Sequence, residues 1–482
     1  MCVFCDLSSL NAVMTISTHI PEDVINYLLK YCHLDDSTLR ACSLASRSFL
    51  IPARQLLFKT IFLDVKPSAR ERCRRLHAVL KANPDLATHI WDLYIAEYTA
   101  FYPRWISEET AVHDILRMMS NLRSISLGSF GGAGSALYNR PVISTELENA
   151  LKTVFKFPNI KIIRLVGLML PFNMFDTELS PSVKTLDLRS ISVKEVSSFS
   201  RVPILSLDFA WDISYRYALD SLPQAPRAKR ALIETLYIIG IDSLTVQLLF
   251  AALRIGCDLS HLREITVTQG EGQNSDAAGE AVKDSLTSVE KLYWNCTVEW
   301  YYFAPGSFNL AACTNLRILH LRMDYNVTVI VPLLIASYEH ATASTVSILE
   351  EVILYIYCRR LIGPGFKALV EENVWVDLDA FLASEHRFPK LRKVDIYIGY
   401  PPADRQPLIP VEEVVNGLMP LVKSRGFLYT RPTWLSMEEI LAGYPETFHE
   451  DNVGQNADHH AGGGSEEVEV EEEEEAEASE SD

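Results

Sequence analysis

Two patterns of apolar positions divide the chain, and they predict different structures. Between residues 18 and 63, apolar side chains recur every three or four positions, as on one face of a helix. From about residue 64 to 430 a shorter pattern recurs: apolar-x-x-apolar-x-apolar, typical of a strand whose last two apolar residues point inward. The sequence therefore predicts a small helical unit followed by a long, repetitive α/β region.

The strand pattern occurs eleven times, and several neighbouring copies lie 27 to 31 residues apart. The copies are Ile90-Leu93-Ile95, Leu122-Ile125-Leu127, Ile160-Ile163-Leu165, Val183-Leu186-Leu188, Val202-Leu205-Leu207, Ile233-Leu236-Ile238, Leu262-Ile265-Val267, Val289-Leu292-Trp294, Leu316-Leu319-Leu321, Leu349-Val352-Leu354 and Leu391-Val394-Ile396. Helix-like stretches separate them. A strand and a helix in about 20–30 residues are typical of leucine-rich repeats. We therefore expect an irregular solenoid with a parallel sheet on its concave side; an ordinary α/β domain with coincidental spacing is the alternative.

The N-terminal stretch predicts three short helices. Pro21 suits a first helical turn, residues 35–37 can cap a second helix, and Pro52 is expected to open a third. About forty residues bury too little surface for a comfortable core of their own. This unit is therefore expected to need support from a neighbour.

The charge is unevenly distributed. The chain of 482 residues has a net charge of −18, of which −13 comes from residues 451–482, a segment without Lys or Arg. So little apolar content predicts a disordered tail. The remainder, at −5, gives no support for nucleic-acid binding. No apolar run approaches the length of a membrane helix, and nine scattered cysteines favour a reducing compartment, cytoplasmic or nuclear.

Motifs for catalysis or cofactor binding are missing from the sequence. It contains no phosphate-binding G-x-x-x-x-G-K-[ST], no G-x-S-x-G and no H-E-x-x-H. Cys2 and Cys5 form a C-x-x-C pair without further ligands, and the glycine-rich residues 128–137 suit a loop. The basic cluster in residues 69–81 fits a solvated helix face better than a nucleic-acid site. We therefore expect a non-enzyme with no cofactor and no metal.

The outward positions of the predicted strands carry aromatic and basic side chains. They include Tyr94, Arg164, Arg189, Tyr237, Tyr293, His320, Arg322, Tyr355 and Tyr397. Tyrosine and arginine dominate binding energy at protein interfaces, and repeat scaffolds bind proteins on such faces. This face is the candidate substrate-binding surface. The alternative is a set of ordinary solvent-facing strand residues, since tyrosine suits strands in any case.

The helical stretch "IPEDVINYLLKYCHLDDSTLRACSLASRSFLIPARQLLFKTIFL" resembles an F-box, particularly of fungal proteins in which divergent leucine-rich repeats follow. The matching elements are the opening Ile-Pro-Glu, the aliphatic first helix, "LRACSLASRSF" and "ARQLLFKTI". Ile20 stands where Leu is usual, and Phe49 where Trp often sits. The resemblance covers roughly a tenth of the chain.

The resemblance implies a protein that links a substrate to a ubiquitin ligase. F-box proteins dock on a Skp-type adaptor within a cullin–RING (SCF) ubiquitin ligase, and their repeats hold the protein to be ubiquitylated. By this resemblance the adaptor-facing or adaptor-supporting residues are Ile20, Pro21, Val24, Ile25, Leu28, Leu39, Ser43, Leu44 and Phe49. The alternative interpretation is that these residues fill the unit's internal core. The alternative function is a repeat scaffold without ligase association; neither nucleic acid nor membrane is an expected partner.

The predicted organisation has five parts. They are a flexible leader at 1–17, the F-box-like unit at 18–63, the repeat solenoid at 64–430, an extension at 431–450 and the acidic tail at 451–482.

Overall fold

The computed structural model describes residues 21–31, 35–63, 68–98, 105–130, 142–175, 179–194, 230–241, 243–269, 285–296, 310–324, 327–339, 347–357, 374–399 and 411–433. The predicted leader and acidic tail lie outside these ranges, as does Ile20. Among the described residues, no helix combines the length and the apolar character needed to cross a membrane.

Helices and strands follow one another along the described chain. The α-helices are α1 (Glu22–Tyr31), α2 (Asp36–Ala45), α3 (Arg47–Lys59), α4 (Ala69–Ala82), α5 (Thr110–Met118), α6 (Thr145–Val154), α7 (Ser243–Gly256), α8 (Val327–Glu339), α9 (Val374–Leu382), α10 (Val411–Leu418) and α11 (Pro420–Ser424). The strands are β1 (Thr60–Leu63), β2 (Asp92–Tyr98), β3 (Ser124–Phe130), β4 (Ile162–Val166), β5 (Met169–Pro171), β6 (Thr185–Arg189), β7 (Ser192–Lys194), β8 (Ala231–Leu232), β9 (Thr235–Ile241), β10 (Cys257–Asp258), β11 (Glu264–Gln269), β12 (Lys291–Cys296), β13 (Ile318–Asp324), β14 (Glu351–Tyr357), β15 (Lys393–Gly399) and β16 (Leu428–Thr433).

Twelve of these strands form one parallel sheet, in the order β1-β2-β3-β4-β6-β9-β11-β12-β13-β14-β15-β16. The expectation of a long parallel α/β sheet is thus confirmed. Ten of the eleven copies of the strand pattern lie at strands of this sheet. The copy at residues 202–207 lies outside the described residues, and β6 pairs directly with β9.

Each strand buries its alternate side chains in the main core. In β3, for example, Ile125 and Leu127 are fully buried, and helix residues such as Leu147 and Leu151 of α6 belong to the same core. The opposite sheet face, here called the open face, carries the intervening side chains. One tight contact follows β4: Gly167 has a φ of +63°, and a Cβ there would lie 1.9 Å from the backbone oxygen of Ser129.

The sheet extends beyond the predicted repeat region at both ends. β1 lies within the stretch assigned to the helical unit, and β16 runs past residue 430. Phe58, Ile61 and Leu63 fit the strand pattern, and all three belong to or pack against the main core. In β16 the equivalent positions are Leu428 and Thr430, so the polar threonine obscures the pattern.

The three N-terminal helices have a separate small core. Ile25, Leu29, Leu39 and Ala53 are buried in it. The third helix begins at Arg47, not at Pro52, because Ser46 caps it by accepting from the Ser48 N–H at 3.2 Å. It continues through Pro52 to Lys59 and passes directly into β1.

Candidate protein-interaction surfaces

The first candidate surface is the open face, where strand register aligns the predicted side chains in rows. The central row runs across the whole sheet: Phe62, Tyr94, Ser126, Arg164, Asp187, Tyr237, Thr266, Tyr293, His320, Ile353, Asp395 and Tyr429. The next row includes Arg189, Asn295, Arg322, Tyr355 and Tyr397. All nine candidate positions therefore lie on one face in two adjacent rows.

Four of these residues form a continuous group, here called the aromatic strip: Tyr293, His320, Tyr355 and Tyr397. The ring centroids of Tyr293 and His320 lie 4.3 Å apart in an edge-on arrangement. His320 and Tyr355 are 6.4 Å apart, and Tyr355 stacks on Tyr397 at 4.6 Å. Neighbouring strands thus present a laterally supported aromatic surface, which loses little side-chain entropy when a partner covers it.

Burial and charge shift the pKa values of the two residues at one end of this strip, His320 and Tyr293. Burial lowers the pKa of His320 to about 4, and the nearby Lys393 and Lys291 act in the same direction, while Asp395 opposes them. Its imidazole is therefore neutral at pH 7. Burial, followed by the charges of Glu264 and Glu351, raises the pKa of Tyr293 to about 12. Both side chains thus stay uncharged and can contact apolar groups or hydrogen-bonding groups of a partner.

A charged group occupies the middle of the sheet. The buried carboxylate of Asp187 accepts from Arg164 Nε at 2.6 Å and from Arg189 Nε at 2.5 Å and Nη2 at 2.8 Å. One buried carboxylate thus orients two guanidinium groups. Arg164 and Arg189 are both half-buried and already paired with Asp187, so they are less available to a partner than unpaired arginines would be.

Other members of the central row are held by their neighbours. Tyr94 stacks on Phe62 with ring centroids 4.8 Å apart, and the Tyr237 hydroxyl donates to Glu264 Oε1 at 2.9 Å. Phe62 and Tyr429, which lie at the two ends of the row, were not among the residues predicted from the sequence. The strand pattern at Phe58 could have revealed Phe62; no comparable signal marks Tyr429.

The second candidate surface lies on the helical unit, where the F-box-like residues separate into two groups. Leu28 and Leu44 are 47% and 87% exposed, and Val24 and Pro21 are also exposed. Ser43 and Phe49 are half-buried, and Phe49 packs against the small core.

Two members of the adaptor-facing or adaptor-supporting set lie inside the helical unit. Ile25 and Leu39 are each only 1% exposed and pack in the small core, together with Ala53 of α3. Three further apolar side chains of the same unit are exposed and were not among the residues predicted from the sequence: Tyr27, Tyr31 and Ile51.

Local bonds stabilise the helix that presents Leu44. At its start, Asp35 accepts from the Ser37 N–H at 3.0 Å and from the Ser37 and Thr38 hydroxyls. The Ser37 and Thr38 bonds lower the pKa of Asp35 to about 2. Near its end, the Ser43 hydroxyl donates to the Arg40 carbonyl at 2.7 Å. The exposed Leu44 is thus displayed by an ordered helix.

Candidate chemistry in the described chain is sparse. Within the described ranges, no group of three or more His, Cys, Asp or Glu side chains could hold a metal ion. Burial raises the pKa of the Cys73, Cys257 and Cys313 thiols to about 12, which suppresses the reactive thiolate. In the basic helix α4, Arg70 and Arg74 pair with Glu109 at 2.8 and 2.9 Å. Its basic face is thus partly neutralised.

Comparisons with known proteins identify no family for this chain. No family model matches it, and no curated protein is significantly similar to it.

Proposed function

We propose that this protein is a substrate-recognition subunit of an SCF-type ubiquitin ligase, with the helical unit docking on a Skp-type adaptor. The observation that carries the proposal is the exposed apolar surface of the helical unit. Leu28, Leu44, Ile51, Tyr27 and Tyr31 are exposed there, although the unit already has a core of its own. So many exposed large apolar side chains on three short helices favour a protein partner.

In this proposal the open face holds the substrate protein. The aromatic strip supplies laterally packed tyrosines, and the pair around Asp187 supplies fixed hydrogen-bond donors. Such a subunit performs no chemistry. It raises the concentration of a substrate lysine near the ubiquitin-charged enzyme, as linked binding modules do.

The adaptor interaction can be tested with surface substitutions. We expect Leu44→Asp and Leu28→Asp each to weaken binding of the full chain to a purified Skp-type adaptor by about 10- to 100-fold. Burying a leucine side chain contributes about 1.5–3 kcal/mol, and a charge at the interface adds a desolvation cost. Isothermal titration calorimetry measures the change. Because both side chains are exposed, thermal stability is expected to stay near that of the unmodified protein.

The matched control is Val376→Asp, which alters a half-exposed apolar residue on α9. It is expected to leave adaptor binding unchanged. If the unmodified protein fails to bind the adaptor at micromolar concentrations, the ligase proposal is wrong. In that case an interaction scaffold that uses the open face is the better-supported function, since the aromatic strip does not depend on the helical unit.

A further inference from the structure

One residue precedes each strand of the large sheet from β1 to β15, and these eleven residues lie side by side along the edge at which the strands begin. Each N–H donates to the carbonyl of the equivalent residue before the preceding strand, at 2.6–2.9 Å. This edge row consists of Lys59, Trp91, Arg123, Lys161, Lys184, Glu234, Arg263, Glu290, Arg317, Glu350 and Arg392. Because the register is constant, charges along the row can be compared position by position.

In the second half of the edge row the charges alternate and pair. Lys184 Nζ lies 2.8 Å from Glu234, and Arg263 lies 3.8 Å from Glu290. Glu350 receives Arg317 at 2.8 Å and Arg392 at 2.9 Å. These pairs are exposed and contribute little to stability each, but they leave this half of the row nearly neutral.

The first half of the row lacks this compensation. Lys59, Arg123 and Lys161 are all exposed, and among the described residues no acidic side chain forms an ion pair with them. The Arg123 guanidinium lies over the ring of Trp91 at 3.6 Å from its centroid, and Lys59 lies at 5.6 Å. The ring fixes two cations at one edge of the sheet without neutralising either.

A cleft of about 410 Å³ opens beside these residues. The side chains of Gln55, Thr88, His89 and Asn159 line it together with Trp91 and Arg123. None of its lining residues is acidic. The Thr88 hydroxyl already donates to the Asp85 carbonyl at 2.6 Å, so the donors available to an anion there are the Arg123 guanidinium and the side-chain amides. The cleft is therefore suited to an anionic group held by Arg123.

One acidic group acts on two of these cations, Lys59 and Arg123: it is Asp92, at the first position of β2. It accepts from the Thr60 hydroxyl at 3.4 Å. Burial raises its pKa, although Lys59, Thr60 and Arg123 act in the opposite direction. The Asp92 carboxylate can offset only one of the three positive charges of Lys59, Arg123 and Lys161, so the net charge of this edge is positive.

We propose that this basic edge binds an extended acidic segment of a protein partner. Neighbouring strands lie about 4.8 Å apart, so Lys59 and Lys161 are separated by about 14 Å along the edge. In an extended peptide, alternate side chains repeat every ~6.8 Å, so acidic residues at positions i, i+2 and i+4 span the same length. The site does not depend on whether the helical unit binds a Skp-type adaptor.

Nucleic acid fits this edge less well. Non-specific nucleic-acid binding draws on many phosphate contacts, whereas this edge offers three cations and a single aromatic ring over about 14 Å. Further along the row, Glu234, Glu290 and Glu350 would also repel a long polyanion.

The test uses a fluorescein-labelled peptide of five Glu-Ser repeats and a matched peptide of five Gln-Ser repeats, with the full-length chain in fluorescence anisotropy. We expect the acidic peptide to bind and the neutral peptide not to bind. The double variant Arg123→Gln, Lys161→Gln is expected to weaken binding at least about tenfold, and added salt should weaken it in the unmodified protein. Thermal denaturation checks that the variant is folded.

Two further variants separate charge from structure. Arg123→Lys keeps the charge and should keep most of the binding. Arg392→Gln removes a cation from the paired half of the same row and should leave binding within about twofold. A third peptide with phosphoserine in place of glutamate tells whether the site prefers phosphate to carboxylate.

Three outcomes would overturn the proposal. The first is no binding of either acidic peptide up to about 1 mM, a concentration at which even weak sites are occupied. The second is an equal loss of binding in the Arg392→Gln variant. The third is tighter binding of a single-stranded DNA 20-mer that is lost in the double variant, which would assign the edge to nucleic acid.

Discussion

His320 lies in the aromatic strip, and its imidazole stays unprotonated at pH values well below those at which a histidine is usually protonated. Its pKa of about 4 results first from burial and then from Lys393 and Lys291. A free histidine side chain has a pKa near 6.5. Between these two values the unfolded chain binds a proton that the folded chain excludes, so this residue destabilises the fold as the pH falls from about 6.5 to about 4.

The first prediction concerns this pH range. We expect His320→Phe to reduce the loss of unfolding free energy between pH 6.5 and pH 4 by as much as about 3 kcal/mol, since a shift of one pKa unit corresponds to 1.36 kcal/mol. Urea unfolding at several pH values measures it. The variant His320→Asn, also without a titrating group, must flatten the pH dependence as well; if only one of the two does, the effect arises from packing.

Individual residues also mark the limit of what the sequence can predict. Outward strand positions could be read directly, because side chains alternate across a strand, and Tyr293, His320 and Tyr355 all lie where that rule puts them. The partners of those side chains could not be read. That Asp187 binds Arg164 depends on which strands are neighbours, whereas Arg189 lies only two residues from Asp187 on the same strand. Whether these positions bind a substrate stays a prediction.

At the level of elements, one carboxylate hydrogen-bonds two helices together near the β16 end of the large sheet. Asp379 of α9 is buried and accepts the Leu421 and Val422 N–H groups at the start of α11, both at 2.8 Å. The first N–H groups of a helix have no partner within the helix, so this side chain supplies acceptors that the short α11 lacks.

The second prediction follows from this contact. Asp379→Ala is expected to lower the unfolding free energy by about 1–3 kcal/mol, because it leaves the buried Val422 N–H and the part-buried Leu421 N–H unpaired. Asp377→Ala, an exposed acidic residue on the same helix, should change stability by less than about 0.5 kcal/mol. Chemical denaturation of both variants gives the comparison, and an equal effect would refute the capping role.

Elements differ in how well the sequence reveals them. Strands β2 to β15 of the large sheet were predictable where the strand pattern places three buried apolar residues at and just before the strand. Leu122, Ile125 and Leu127 are one example. The start of α3 was not, since Pro52 is a strong signal for a first turn yet lies six residues into the helix. The direct pairing of β6 with β9 was also unpredictable, because forty-five residues separate their closest ends.

At the scale of the whole molecule, each described strand of the large sheet pairs only with its immediate neighbours in that sheet. In such arrays stability is approximately a sum of local and nearest-neighbour contributions. The helical unit is attached to one end: Phe58 of α3 packs on the main core, whereas Leu56 and Leu57 pack on the small one. Damage to the small core should therefore spread only a short distance.

The third prediction tests this locality. Leu39→Ala removes a buried side chain and is expected to cost about 2–4 kcal/mol locally. Amide hydrogen exchange should accelerate in α1 to α3 and in β1, and stay unchanged in β13 to β15. The reciprocal variant Leu354→Ala in β14 should show the opposite distribution; uniform acceleration in both would indicate one fully cooperative unit.

The direct passage from Lys59 into Thr60 has a mechanical consequence. Because no linker separates α3 from β1, a change in the orientation of the helices is transmitted directly to the first strand of the sheet. Eleven strand spacings of about 4.8 Å place the far end of the sheet about 50 Å away along its contour. A tilt of ten degrees at the junction of α3 and β1 would then displace the last strands by roughly 9 Å. Under the proposed function, an adaptor bound to the helices would therefore also set the position of a substrate bound near the distant end of the sheet.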